Sequence, residues 1–419
     1  MTIGIDCRLY SPHYTGIGRY VYEMVKHLIE LDQQNRYVLF FNQKEFDEFQ
    51  VPNERWEKRL VNIPHYSLAE QWKFYRMLKQ EKLDLMHFPH FNAPILYKKP
   101  FVVTIHDLTL HYYPYKEYQP KWTLKKGIQI FFYRFLMGQV VKHAKQIIAV
   151  SENTKKDLIK EYSVSSQKIS KVLEGVPEHF QKSTPDQIET VRQKFGMTKT
   201  YLLYTGVWRS HKNLLNLIKA FKLLTDQGHD LQLVLTGKKD PVYPEIPQLI
   251  EELFPIPNEF SEESLAKAMP RDSSTASSSA PTPGLDRYSS GGLRSEWKNH
   301  DRVVLTGFVS DEELISLMSG ASVYVFPSLY EGFGLPPLEA MQLGVPVACS
   351  NTSSLPEVCH DAALYFDPKN VKEMAESIQK ILKNPELRQE LIENGQKNLL
   401  RFSWRGMTSQ ILDIYNKVC

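Results

Sequence analysis

The stretch FPSLYEGFGLPPLEAMQLGVPV, residues 326–347, decides how this chain is read. Glu331 and Glu339 flank a turn that carries Gly332 and Gly334, followed by Pro336 and Pro337. Residues 321–326 before it read as a buried strand, and residues 338–343 after it read as a helix that Gly344 stops. Strand, glycine turn and helix in that order aim free backbone N–H groups and a helix N-terminus at one spot, which suits a phosphate. The flanking carboxylates then accept hydrogen bonds from hydroxyls, as sugars and riboses require. Taken alone, EGFG reads equally as a turn whose glycines serve the backbone and whose acids are solvated or cap the helix.

Working outward, strand-like runs recur between helical patterns. The first series is 2–7, 37–41, 85–88, 101–105, 146–150 and 169–173; the second is 201–205, 231–236, 302–305, 322–326, 345–349 and 363–366. Many are apolar on both faces, as in a parallel sheet covered by helices. Strand–helix alternation in both halves predicts an α/β chain of two doubly wound, Rossmann-like domains. The polar stretch 174–200 marks the break between them. The last segment, 404–418, reads as a helix. Residues 255–296 contain SSTASSSAPTP, which cannot bury a core and reads as a disordered insertion.

The chain has 419 residues, enough for two full cores, and a net charge of +3, which gives no nucleic-acid signal. Its cysteines, Cys7, Cys349, Cys359 and Cys419, show no metal or disulfide spacing and fit a reducing compartment. MTIGIDCRLY enters a strand directly, so no signal peptide is expected; no run of about 18 uninterrupted apolar residues occurs, so no membrane span is expected, and the location is read as cytoplasmic. Residues 119–145 mix Lys, Arg and aromatics. They read either as a basic amphipathic helix that lies on an anionic membrane through Lys121, Lys125 and Lys126, or as a core helix with a basic edge.

Three further segments carry candidate chemistry. TGIGRY, 15–20, brings Gly16, Gly18 and Arg19 to the start of a helix, but without a third glycine it is a poor dinucleotide fingerprint. VVTIHDL, 102–108, ends a buried strand with His106 and Asp107, at the end of a parallel sheet where ligands bind. YTGVWRSHKNL, 204–214, follows Gly206 with Arg209, His211 and Lys212, and fixed cations there suit a diphosphate. Each segment alone reads as well as an ordinary loop. No DxD, HExxH or CxxC occurs.

The signature at 326–347, continued through SNTSSLPEV (350–358) and AALYFDP (362–368), resembles that of the retaining glycosyltransferases of family 4, which have the GT-B fold. That resemblance implies two domains, 1–175 on the acceptor side and 190–400 for the nucleotide sugar, facing across a cleft, with helix 404–418 crossing back. It implies that Glu331 holds donor-sugar hydroxyls and that the backbone of Gly332, Phe333, Gly334 and Leu335 meets the phosphates. Glu339, placed in the first helical turn, binds the ribose. Gly16, Gly18 and Gly206 belong to the donor site, Arg19 and Asp107 to the acceptor side. His106, Lys212 and Arg209 join Glu331 in catalysis, although Arg209 is shifted from the usual place and Cys359–His360 stands where small residues are usual.

The implied activity is transfer of a hexose, mannose first, from a nucleoside diphosphate sugar to a glycan or lipid-linked saccharide in surface-polysaccharide synthesis. Neither a cofactor nor a metal is implied. Partners are the donor, the acceptor and a peripheral contact with the inner face of an anionic membrane. Rival readings are a sugar-nucleotide epimerase on the same fold and a nucleotide-sugar-binding protein that has lost catalysis.

Overall fold

The computed structural model describes residues 1–11, 16–113, 124–237, 240, 243–255 and 301–418. Of the expected insertion 255–296 all but Pro255 lies outside them, as do Thr15, Lys121 and the side chains of Lys125 and Lys126.

Seven parallel strands form the first sheet: β1 (Thr2–Asp6), β2 (Arg36–Phe41), β3 (Trp56–Leu60), β4 (Leu85–Phe88), β5 (Phe101–Ile105), β6 (Gln146–Ala149) and β7 (Ile169–Lys171), in the order β3-β2-β1-β4-β5-β6-β7. Six form the second: β8 (Thr200–Thr205), β9 (Leu231–Thr236), β10 (Val303–Gly307), β11 (Val323–Phe326), β12 (Val347–Ser350) and β13 (Ala363–Phe366), in the order β10-β9-β8-β11-β12-β13. The expectation of two doubly wound α/β domains holds. Strand order reverses between β1 and β4 and again between β8 and β11. In such sheets the ligand crevice opens at the carboxyl ends of the strands on either side of the reversal.

Most central strands are short and buried, so their alternate side chains feed two layers. Along β2, Tyr37, Leu39 and Phe41 enter one core with Ile3, Ile5, Tyr20 and Met24, whereas Val38 and Phe40 enter the other with Phe74, Leu78 and Met86. Each such side chain contributes roughly 1.5–3 kcal/mol. Helix Trp404–Val418 packs in the former core through Trp404, Met407, Ile411, Ile414 and Tyr415, beside helix Gly16–Leu31. Gly175 lets it in close, since a Cβ there would lie 2.2 Å from the Trp404 backbone nitrogen.

Three local readings change, and a fourth is given its bounds. Strand β3 was not expected, because WEKRL at a sheet edge carries charges that face water. The polar stretch 174–200 contains a helix, Pro185–Lys194, started by a reciprocal capping box between Thr184 and Gln187. The helix after the signature turn is Leu335–Gln342, three residues longer at its start than expected. Pro336 and Pro337 occupy its first turn, where a missing N–H costs nothing, so Glu339 falls in the second turn. The helix in 119–145 is Leu124–His143. Its Leu136, Met137, Val140 and Val141 are buried, while Ile128, Phe131 and Phe135 are exposed.

Candidate active site

The second domain builds its half from the loops after β8 and β11. Lys212, in the first loop, donates from Nζ to Glu331 Oε1 in the second at 2.7 Å, and its ammonium sits 5.3 Å from the centre of the Phe326 ring. The Glu331 turn is held from behind. Its N–H donates to Ser353 Oγ at 2.9 Å, and Ser354 Oγ donates to the carbonyls of Phe333 at 2.6 Å and Glu331 at 3.0 Å. Asn213 precedes helix Leu214–Asp226 with φ +60°, but its side chain does not cap that helix. Instead Nδ2 donates to Pro327 O at 3.0 Å and Pro368 O at 2.7 Å, tying the Lys212 loop to the signature strand.

The carboxylate of Glu339 has no hydrogen-bond partner among the described residues. Burial pushes its carboxyl up to about 7; the Arg19 guanidinium works against that rise and Asp311 adds to it. Arg209 lines a neighbouring cavity of about 200 Å³ with Asn213, Lys219, Tyr243 and Lys369, and its Nε is buried without a hydrogen-bond partner among the described residues. Gly206 ends β8 with φ +141°.

The first domain supplies the opposing half. His106 follows β5 and is buried. Its Nδ1 meets Glu174 Oε1 at 3.0 Å and its Nε2 donates to Pro89 O at 3.0 Å. Both ring nitrogens are thus engaged, and it is the His106 carbonyl that reaches the other domain. Asp107 Oδ1 accepts from the Thr109 N–H at 2.7 Å, starting the next short helix. Behind the ring, Tyr20 lies edge-on to His106 at 4.8 Å. The Tyr20 hydroxyl bonds Thr104, which bonds His87, and Tyr415 closes the chain on His87 Nδ1 at 2.6 Å. Burial drives the His87 imidazole down to about 3, so it stays neutral in this chain of hydroxyls.

The glycines divide by role. A Cβ on Gly332 would lie 2.0 Å from the His106 carbonyl oxygen, so this glycine admits the first domain against the turn. A Cβ on Gly18 would lie 2.9 Å from Leu9 O, so its bare backbone serves the loop after β1. Gly16 is exposed and faces Leu335 across the cleft, 3.8 Å from a built Cβ to Leu335 Cδ1. Arg19, expected on the acceptor side, donates to Asp311 Oδ2 of the second domain at 3.5 Å.

The structure therefore brings Lys212, Glu331, Gly332, His106 and Asp107 to one seam, with Arg19 and Glu339 next along it. Sequence reasoning passed over Glu174, Ser151, Asp157, Tyr330 and Glu357. Tyr330 stands in the deciding stretch itself, beside Glu331, and Glu357 in its continuation at 350–358; Glu174, Ser151 and Asp157 lie far off in sequence, and only the fold brings them near. No group of three His, Cys, Asp or Glu side chains is placed to hold a metal ion among the described residues. No helix among them is long and apolar enough to cross a membrane.

This geometry agrees with two family profiles: residues 14–180 match Glycosyltransferase Family 4, and residues 290–398 match Glycosyl transferases group 1. Over 417 residues the chain is 28% identical to the O-antigen chain mannosyltransferase B of Escherichia coli, covering 96% of each. It is 26% identical to the O-antigen chain mannosyltransferase RfbU of Salmonella typhimurium, over 86% of this chain and 81% of that one. Among solved structures it is similar in fold to the sucrose-phosphate synthase of Thermosynechococcus elongatus, with TM-score 0.69 and 18% identity over 100% of this chain and 99% of that one. The Anabaena HepE structure with UDP and glucose gives TM-score 0.69 and 15% identity over 100% of both. The two doubly wound domains and both family matches agree, and the chain belongs to the glycosyltransferases of family 4, group 1, with the GT-B fold.

Proposed function

We propose that the protein transfers a hexose, with retention of anomeric configuration and without a metal, from a nucleoside diphosphate sugar to a hydroxyl of a glycan or lipid-linked saccharide. The observation that carries this is the Lys212–Glu331 pair at the turn carrying Gly332, with Glu339, whose carboxylate has no hydrogen-bond partner among the described residues, further along the same stretch. Glu331 Oε1 takes the ammonium, and Oε2 accepts from hydroxyls of the donor sugar. The backbone from Gly332 to Leu335, at the head of helix Leu335–Gln342, meets the phosphates. Lys212, with Arg209 at the loop's rim, offsets the charge that builds on the leaving diphosphate. The C1–O bond to that diphosphate breaks while the acceptor oxygen attacks from the same face. The acceptor proton passes to a diphosphate oxygen, so no second carboxylate is needed as base. His106 positions the seam through its carbonyl, and Glu339 takes the ribose hydroxyls.

Mannose, carried as GDP-mannose, is the first choice of donor, and surface polysaccharide is the first choice of product. The O-antigen mannosyltransferases among the relatives support both. A lipid-linked acceptor is supported by the exposed Ile128, Phe131 and Phe135, which continue past Tyr133 and Phe91 to Tyr66. Exposed Leu68 and Trp72 follow Tyr66 in the chain, and the Arg76 guanidinium lies over the Trp72 ring. An apolar surface edged by cations suits the inner face of an anionic membrane.

Turnover of labelled GDP-mannose, UDP-glucose and ADP-glucose on mannosylated lipid acceptors, with the product anomer read by NMR, tests the reading. A new α-linked product formed in EDTA supports it. Interconversion of the donor without acceptor would instead mark an epimerase.

A further inference from the structure

Tyr330 is carried by the donor loop of the second domain, yet its ring is buried in a core cluster of the first. There it lies 5.2 Å from the Tyr112 ring and 6.3 Å from that of Tyr113. Its hydroxyl donates to Asp157 Oδ2 at 2.7 Å and accepts from the Leu108 N–H at 3.3 Å. Asp157 is held for this by Tyr112, which donates to Oδ1 at 3.1 Å, and by Asn153, which donates to Oδ2 at 2.9 Å.

Asp157 belongs to helix Glu152–Tyr162, and the same helix receives two more contacts from the second domain. Ser151 Oγ and Thr154 Oγ1 donate to the Gly332 carbonyl at 2.6 and 3.3 Å. Glu357 Oε2 accepts from the N–H groups of Glu152 and Asn153 at 2.7 and 3.4 Å, closing the helix N-terminus with a carboxylate from across the cleft. Glu331 stands between Tyr330 and Gly332, so both of its chain neighbours are anchored in the other domain.

We propose that Tyr330 is a positioning residue: by docking on Asp157 and Leu108 it sets the Glu331 carboxylate against the donor sugar when the two domains meet. This rests on the assignment of Glu331 to the donor sugar. A loop pinned on one side only would hold the carboxylate loosely, and a misplacement of an ångström is enough to slow a reaction. The nucleotide needs no such docking, because Lys212 and Glu339 belong to the second domain alone. Loss of the hydroxyl therefore lowers kcat and spares nucleotide affinity.

The test uses the full chain with Y330F, D157A, D157N and the double variant Y330F/D157A. Y330F keeps the ring and the fold. Its kcat is expected to fall roughly tenfold or more, as for a lost hydrogen bond to a charged group. D157A should match it, the double variant should be no worse than either, and D157N, whose amide oxygen still accepts the hydroxyl, should recover most of the rate. The dissociation constant of the nucleoside diphosphate, by calorimetry, should stay within about twofold of wild type. Docking is read separately as amide hydrogen exchange at residues 106–113 and 151–157, which should quicken in Y330F. Wild-type kcat in Y330F and D157A, equal losses in kcat and nucleotide affinity, or unchanged exchange would each overturn the assignment. Quickened exchange in Y330F, in a protein whose wild type turns over no nucleotide sugar, would indict the transfer reading instead.

Discussion

At the scale of single residues, Glu331 and Glu339 are set apart by what they touch. Glu331 is paired with Lys212 at 2.7 Å, whereas Glu339 is pushed up to about 7 with only distant charges near it. E331Q is therefore expected to lower turnover by roughly a hundredfold or more, as when a transition-state contact is lost, with nucleotide affinity nearly unchanged; steady-state kinetics and calorimetry read the two effects separately. Glu339 imposes a pH dependence, since a ribose hydroxyl donates more strongly to the ionised carboxylate than to the neutral acid. Nucleoside diphosphate should bind roughly five- to tenfold tighter at about pH 8 than at about pH 6. The phosphate's own titration also moves affinity in this range, so E339Q is the control: the slope that vanishes in it belongs to Glu339. Linkage gives a second sign. A carboxyl at about 7 when folded and at its ordinary 4.5 when unfolded stabilises the fold below the lower value, and that contribution is gone once pH passes the higher. His360 is strained, with φ +51° and ψ −128°, a region glycine enters without cost. H360G should raise stability by roughly 1 kcal/mol, read as a higher Tm.

At the scale of elements, the signature was legible because its strand, turn and helix are local. The prolines were read with the turn, before a helix starting at residue 338; they occupy the helix's first turn instead, which moves Glu339 to the second. The strand at residues 56–60 was illegible because an edge strand with charged side chains looks like a loop. Asn213, just before a helix, acts as a cross-brace through Pro327 and Pro368, residues no local pattern links to it. Its amide holds two carbonyls in a buried place, so N213A should cost roughly 2 kcal/mol, measured by denaturant unfolding. The glycine at 332 read as a phosphate turn. Its close contact with the His106 carbonyl is a second reason for glycine there, and that reason appears only when the two domains are seen together.

At the scale of the whole molecule, alternating strands and helices made both doubly wound sheets legible, and the reversals of strand order place the cleft. What stayed hidden is how the halves are joined. Tyr330, Glu357 and Arg19 reach across the seam over long sequence distances, and helix Trp404–Val418 completes the core of the first sheet. The first half is therefore not self-sufficient. Residues 1–175 expressed alone should lack a cooperative thermal transition by circular dichroism, and fusing residues 404–418 to them should restore one; a sharp transition without that helix would refute this account of the core.

The central claim is a nucleoside diphosphate site on the second domain that works through Lys212, the turn at Gly332 and Glu339. The most direct test is calorimetric titration of the full chain with GDP, UDP and ADP in EDTA, repeated on E339Q. The account predicts saturable binding of one of the three that EDTA leaves unchanged, GDP being the first choice, and at least tenfold weaker binding to E339Q, as for a lost charge-assisted hydrogen bond. Failure of all three to bind in EDTA, or full affinity in E339Q, would contradict it.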